Sequence, residues 1–103
     1  MVQDETDESA APEKHRHLEV EITNEDDGDV YKFSVKHDER LDSVIARLYA
    51  DKLHREPVDD DRLRCEAGGE DVFTFASMTF KAYLDAGHCA ALKWLFSGPT
   101  GGA

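Results

Sequence analysis

Beyond residue 17 the apolar side chains keep a period of two through two runs and then change to a helical period. That change limits the chain to a small sheet with a helix packed on it. Leu18, Val20 and Ile22 alternate with Glu19, Glu21 and Thr23, as in a strand with one face buried and one in water. Residues 24–29 (NEDDGD) read as a turn in which Gly28 takes positive φ at no steric cost. Tyr31, Phe33 and Val35 then alternate with Lys32, Ser34 and Lys36, so the two runs predict an antiparallel hairpin. Glu19 and Glu21 are expected to face Lys32 and Lys36 across it. From there Leu41, Val44, Ile45, Leu48, Tyr49 and Leu53 fall at helical spacing, with Asp42, Arg47, Asp51 and Lys52 on the outer side. Asp38 is the expected N-cap. Acidic residues near the start and Lys52, His54 and Arg55 near the end suit the helix dipole. Pro57 is expected to stop the helix by about Arg55, because the residue before proline avoids helical backbone.

The rest of the chain is shorter in its periods. Leu63, Cys65 and Ala67 predict a short strand closed by Gly68 and Gly69. Val72, Phe73 and Phe75 predict another extended piece. Residues 79–84 (TFKAYL) read as one helical turn, with Phe80 and Tyr83 three apart. Residues 91–96 predict a last strand with Leu92, Trp94 and Phe96 on one side. Hairpin, helix, short strands, helical turn and final strand make an α+β fold, with one main helix across one face of a mixed sheet. The final strand is expected to lie parallel beside the first. Two flanks stand apart from this domain of residues 17–96. Residues 1–16 carry Asp4, Glu5, Asp7, Glu8 and Glu13 and lack the apolar surface that offsets ordering entropy, so they are expected to be disordered. Residues 97–103 (SGPTGGA) are expected to form a mobile tail.

Composition removes several function classes. A chain of 103 residues that is 40% hydrophobic supports one modest core with little spare stability, and no second domain to close a cleft. No catalytic set is visible in it. The net charge of −11 opposes binding to nucleic acid or to an anionic membrane, and it allows a basic protein partner or serves solubility alone. Cys65 and Cys89 form no Cys-x-x-Cys pair and are expected to be buried, reduced thiols. No apolar run approaches the ~18 residues of a membrane span, and the acidic start is unlike a signal peptide. A cytoplasmic protein is expected. His15 and His17 flank Arg16 in the leader, a poor metal site. Asp59, Asp60 and Asp61 lack the glycine and terminal glutamate of an EF-hand loop and are expected to be a solvated acidic loop. No metal site is therefore assigned. The neighbours His88 and Cys89 have no base or orienting group in sight, so Cys89 reads as a core residue.

This order of elements resembles ubiquitin over roughly His17 to Gly102. Pro57, Val58, Asp59, Asp60, Asp61, Arg62 and Leu63, followed by Ala67 and Gly68, are similar to its proline-containing loop, Arg-Leu strand start and Ala-Gly turn. Thr79, Phe80 and Tyr83 resemble its short helical turn, and Gly101 and Gly102 resemble its terminal diglycine. The resemblance implies a ubiquitin-like β-grasp fold. Arg64 stands where ubiquitin carries the isoleucine of its main recognition patch, and Ser97, Gly98, Pro99 and Thr100 lack the arginines before the diglycine. In these departures the chain resembles the divergent ubiquitin-like modifiers encoded beside dedicated activating enzymes in bacteria.

The resemblance also implies a chemistry, with Gly102 as the electrophile. A modifier is adenylated at its terminal carboxylate, passed to a thioester and attacked by a target amine or hydroxyl, a lysine amine giving an isopeptide bond. Glycine permits the close backbone approach this needs. The implied partners are an activating enzyme that uses ATP, a conjugating enzyme, a target protein and a processing or deconjugating peptidase of the JAB metalloprotease type. That peptidase would cut between Gly102 and Ala103. The chain itself needs no cofactor. Residues Ser97, Gly98, Pro99, Thr100, Gly101 and Gly102 span roughly 20 Å when extended, enough to thread an enzyme channel. Glycine is ~7% of average sequences, so two adjacent at a fixed place is roughly a one-in-200 accident. Arg64, Trp94 and Phe96 are the candidate partner contacts, the aromatics only if one points outward from the last strand. Two other readings stand beside this one. One is a β-grasp sulfur carrier with a thiocarboxylate at its terminal glycine, against which Ala103 argues. The other is a ubiquitin-like interaction module that is never conjugated.

Overall fold

The computed structural model of the chain describes residues 17–99. The acidic leader of residues 1–16 and the end of the tail, Thr100, Gly101, Gly102 and Ala103, lie outside the described residues.

The alternating runs form the expected hairpin. Strand β1 (Leu18–Asn24) pairs antiparallel with β2 (Val30–Val35), Leu18 opposite Val35 and Thr23 opposite Val30. Gly28 turns the chain at φ 82°. The register sets Glu21 opposite Lys32 but Glu19 opposite Ser34, so one of the expected charge pairs is aligned. Strand β3 (Arg62–Cys65) and strand β4 (Lys93–Ser97) complete a sheet ordered β2-β1-β4-β3. β4 runs parallel to β1 and antiparallel to β3, as the final strand was expected to do beside the first.

Helix α1 (Leu41–Arg47) continues through wider, π-type turns over Leu48–Leu53. Leu41, Val44 and Leu48 are fully buried against the sheet, and Tyr49 nearly so. Burial of roughly 2 kcal/mol per large aliphatic side chain holds so short a helix better than its propensity does. The cap is Arg40, not Asp38, and its side chain makes no capping hydrogen bond. The connection ahead of the second helix does that work instead. Leu41 N–H donates to the Met78 carbonyl at 2.9 Å and Asp42 N–H to that of Ala76 at 2.8 Å. At the other end His54 N–H donates to the Tyr49 carbonyl, five residues back, at 2.7 Å. His54 takes a left-handed φ of 56°. The helix therefore closes on its own wide turn, one residue before Arg55.

Helix α2 (Phe80–Asp85) is the expected turn, its first N–H groups served by Thr79 Oγ1, which accepts from Ala82 N–H at 3.1 Å. The extended piece expected at Val72, Phe73 and Phe75 is instead a 3-10 turn over Phe73–Phe75. The Asp71 carboxylate accepts from the Thr74 hydroxyl at 2.7 Å and from Thr74 N–H at 3.2 Å, which winds the segment. Only the bridge between Arg64 and Asp71 keeps strand character there.

The cysteines also depart from expectation. Cys65 and Cys89 are joined in a disulfide, their Cα atoms 5.8 Å apart across a sequence separation of 24. They are not free thiols. The β3–β4 register sets Cys65 opposite Trp94, and the chain entering β4 carries Cys89 back past that point. A contact made by sheet pairing leaves no trace in local apolar pattern. Bonded to Cys65, Cys89 is also unavailable as a nucleophile.

Candidate functional site at the root of the C-terminal segment

Of the residues expected to thread an enzyme, Ser97, Gly98 and Pro99 are described. Ser97 is not tail. It closes β4, paired with Arg62. Gly98 is buried, and its N–H donates to Asp26 Oδ2 at 3.0 Å. The segment thus leaves the body after Gly98, two residues later than its small, polar composition suggests.

The turn that supplies Asp26 is fixed from both sides. Asn24, only 5% exposed, accepts Asp26 N–H on its side-chain oxygen at 2.9 Å. Glu25 N–H donates to the Phe96 carbonyl of β4 at 2.8 Å. Arg55, just beyond the helix, also lies against Gly98. Its guanidinium donates to both carboxylate oxygens of Asp61, at 2.8 and 3.1 Å, and to the Glu56 carbonyl at 2.9 Å. It also lies over the rings of Tyr49 and Phe96, 5.6 and 5.8 Å from their centroids. A Cβ placed on Gly98 would stand 3.1 Å from Arg55 Nη2 and from Asp26 Oδ2, and 3.6 Å from Asp61 Oδ1. Any side chain here would make Arg55 and Asp26 give way by a few tenths of an ångström, so glycine lets the backbone sit this close without that shift.

Asp61 is the hub. It is 3% exposed, so the expectation of a solvated loop at Asp59, Asp60 and Asp61 fails at its third member. Besides Arg55 it accepts from the Tyr49 hydroxyl at 2.6 Å and from Val58 N–H at 3.0 Å. Burial pushes its carboxyl up, but the Arg55, Tyr49 and Val58 donors outweigh burial and hold it below the ordinary range. Burial, then the bond to Asp61, pushes the Tyr49 phenol well above its usual value, so it remains a donor. A buried carboxylate with four donor contacts is a satisfied structural charge, not a titrating acid or base.

The proposed aromatic contacts move indoors. Trp94 and Phe96 are each 1% exposed. Trp94 stacks on Phe80 at 6.0 Å and meets Tyr83 edge-on at 6.0 Å, while Phe96 meets Tyr49 edge-on at 5.9 Å. β4 lies between two strands, so one of its faces looks into the core, and these residues occupy that face. Neither is available to a partner. Arg64 is on the opposite face, half-buried opposite Leu95, and pairs with Glu25 at 2.8 Å. That ion pair puts charge where an apolar recognition patch would need an exposed aliphatic.

No family model matches this chain, and no curated protein matches it. Among solved structures, the solution structure of the ubiquitin-like domain of yeast Ddi1 is similar, with a TM-score of 0.59 and 22% identity. The alignment covers 85% of this chain and 95% of that one. With the mixed sheet and its crossing helix, the likeness establishes a ubiquitin-like β-grasp fold of the α+β class.

Proposed function

We propose, with the ubiquitin-like fold as premise, that this chain is a protein modifier joined to a target protein through the carboxylate of Gly102. One observation carries the reading. β4 hands the chain out at a fixed, buried Gly98, and the residues that follow end in Gly101, Gly102 and Ala103. Counted from Gly98, the arm of Pro99, Thr100, Gly101 and Gly102 spans about 13 Å extended, shorter than a count from Ser97 suggests. Pro99 stiffens its base by fixing φ.

The chemistry belongs to the partners. A peptidase of the JAB metalloprotease type removes Ala103 and frees the Gly102 carboxylate. An activating enzyme couples that carboxylate to ATP, releasing pyrophosphate and leaving an acyl adenylate. A cysteine thiolate displaces AMP to give a thioester, which a conjugating enzyme delivers to a nucleophile of the target. Gly102 contributes an unhindered carbonyl and Gly101 the clearance behind it. The enzymes supply nucleophile, base and oxyanion stabilisation. With Arg64 in place of an apolar patch, docking on the sheet's open face would be polar. A chain of net charge −11 favours basic enzyme surfaces, so its association should weaken with salt. A bacterial, cytoplasmic conjugation system is the setting we propose, although the disulfide removes the support that free thiols would lend to that compartment.

The test is expression of an N-terminally tagged chain in its native cell. Wild type should give a ladder of larger covalent adducts that disappears when Gly101 and Gly102 are deleted. A terminal thiocarboxylate and no ladder would mark a sulfur carrier. Unchanged function after the deletion would mark an interaction module.

A further inference from the structure

We propose that Asp26, Arg55 and Asp61 are a clamp that sets the direction in which the C-terminal segment leaves the domain. This makes them positioning residues for the chemistry at Gly102, and to that extent the inference rests on the modifier reading. The Asp26 carboxylate and the Arg55 guanidinium both crowd Gly98, each 3.1 Å from where its Cβ would stand. Both residues are exposed, but the turn behind Asp26 and the Arg55 side chain are each tied down. Asp26 belongs to a turn tied to buried Asn24 and to the Phe96 carbonyl of β4. Arg55 is held at once by Asp61, by the Glu56 carbonyl and by the Tyr49 and Phe96 rings. Asp61 is held in turn by Tyr49 and Val58. The clamp joins three parts of the chain that are remote in sequence: the first hairpin turn, the segment after α1 and the end of β4.

The buried charge of Asp61 is not the cheapest way to stabilise such a spot, because apolar side chains of similar volume do as well. What directional hydrogen bonds add is one defined geometry. Reach alone does not explain the arrangement. Shortening a free arm from six residues to four changes its closure probability only about twofold. The clamp therefore acts on orientation: it aims the arm at the enzyme channel, and misaimed reacting groups lose rate steeply.

The test uses the full chain, labelled with nitrogen-15, as wild type, Asp26→Ala and Asp26→Asn. The Gly98 amide of wild type should exchange with solvent at least tenfold more slowly than that of Gly101. Asp26→Ala should abolish that protection while the β4 amides keep theirs, and Asp26→Asn, which retains an acceptor oxygen, should restore most of it. In the native cell Asp26→Ala should cut the adduct ladder about tenfold, and Asp26→Asn should largely rescue it. A Gly98 amide that exchanges freely in wild type, or exchange unmoved by Asp26→Ala, overturns the clamp. Loss of protection throughout β4 overturns it too, since Asp26 would then hold the strand and not the arm. An intact ladder from Asp26→Ala overturns the positioning role. If wild type forms no ladder, the modifier reading fails instead, and the exchange rates still judge the clamp.

Discussion

Replacing Tyr49 by Phe deletes one hydroxyl from the buried network and leaves the ring that meets Phe96 edge-on at 5.9 Å. The lost contact is a 2.6 Å hydrogen bond to Asp61, and hydrogen bonds to charged groups contribute about 1.5–3 kcal/mol. Arg55 and Val58 still donate to Asp61, so the carboxylate is not orphaned and the lower half of that range applies. The expected loss is about 1.5–2 kcal/mol at neutral pH, or roughly 6–15 °C in Tm for a domain of this size. Urea unfolding followed by Trp94 fluorescence should show a lower midpoint at unchanged slope. The pH dependence carries the sign. Asp61 is held below its ordinary pKa, so its contribution is complete above the unfolded carboxyl value of about 3.9 and fades as pH falls through the lower, folded value. The gap between wild type and Tyr49→Phe should therefore be full at pH 7 and narrow below about pH 4. A gap under about 0.5 kcal/mol at pH 7 would be no more than a surface substitution gives. That result, or a gap independent of pH, would refute Asp61 as the hub.

Three other perturbations have defined outcomes. Reducing the Cys65–Cys89 bond reopens a loop of sequence separation 24 and should cost about 3.5 kcal/mol by chain entropy; calorimetry with and without a dithiol reductant reads it, and an unchanged Tm contradicts the disulfide. Gly98→Val forces a branched side chain against Arg55 and Asp26 and should cost about 2 kcal/mol by overpacking, measured by urea midpoint. Thr79→Ala removes the 3.1 Å cap of the second helix and should cost about 1 kcal/mol in the same assay.

Much of the fold was legible because it rests on local period. The alternation from Leu18 to Val35 and the helical spacing from Leu41 to Leu53 each depend on near neighbours, and both elements form where those patterns run. What stayed hidden depends on remote pairing. The Cys65–Cys89 bond and the tie from Gly98 to Asp26, 72 residues apart, exist only once β4 lies between β1 and β3. Asp61 looks like its exposed acidic neighbours in the sequence because composition cannot separate one buried carboxylate from two solvated ones. Its nearest legible signal was Arg55, six residues earlier across Pro57, a spacing that lets a loop fold its two ends together. The second helix was readable from Thr79, Phe80 and Tyr83. The 3-10 turn beside it was not, because Asp71 captured Thr74 and overrode a β-prone run. Trp94 and Phe96 followed the period of the last strand, but only the sheet order decided that their face looks inward.

The most direct measurement is mass spectrometry of the chain's C-terminal peptide after recovery from its native cell. The free pool should end at Gly102, lighter by the one alanine, and a second pool should carry the Gly102 carbonyl bonded to a side chain of another protein. A chain recovered only with Ala103 in place, and with no branched peptide at Gly102, would contradict its role as a modifier.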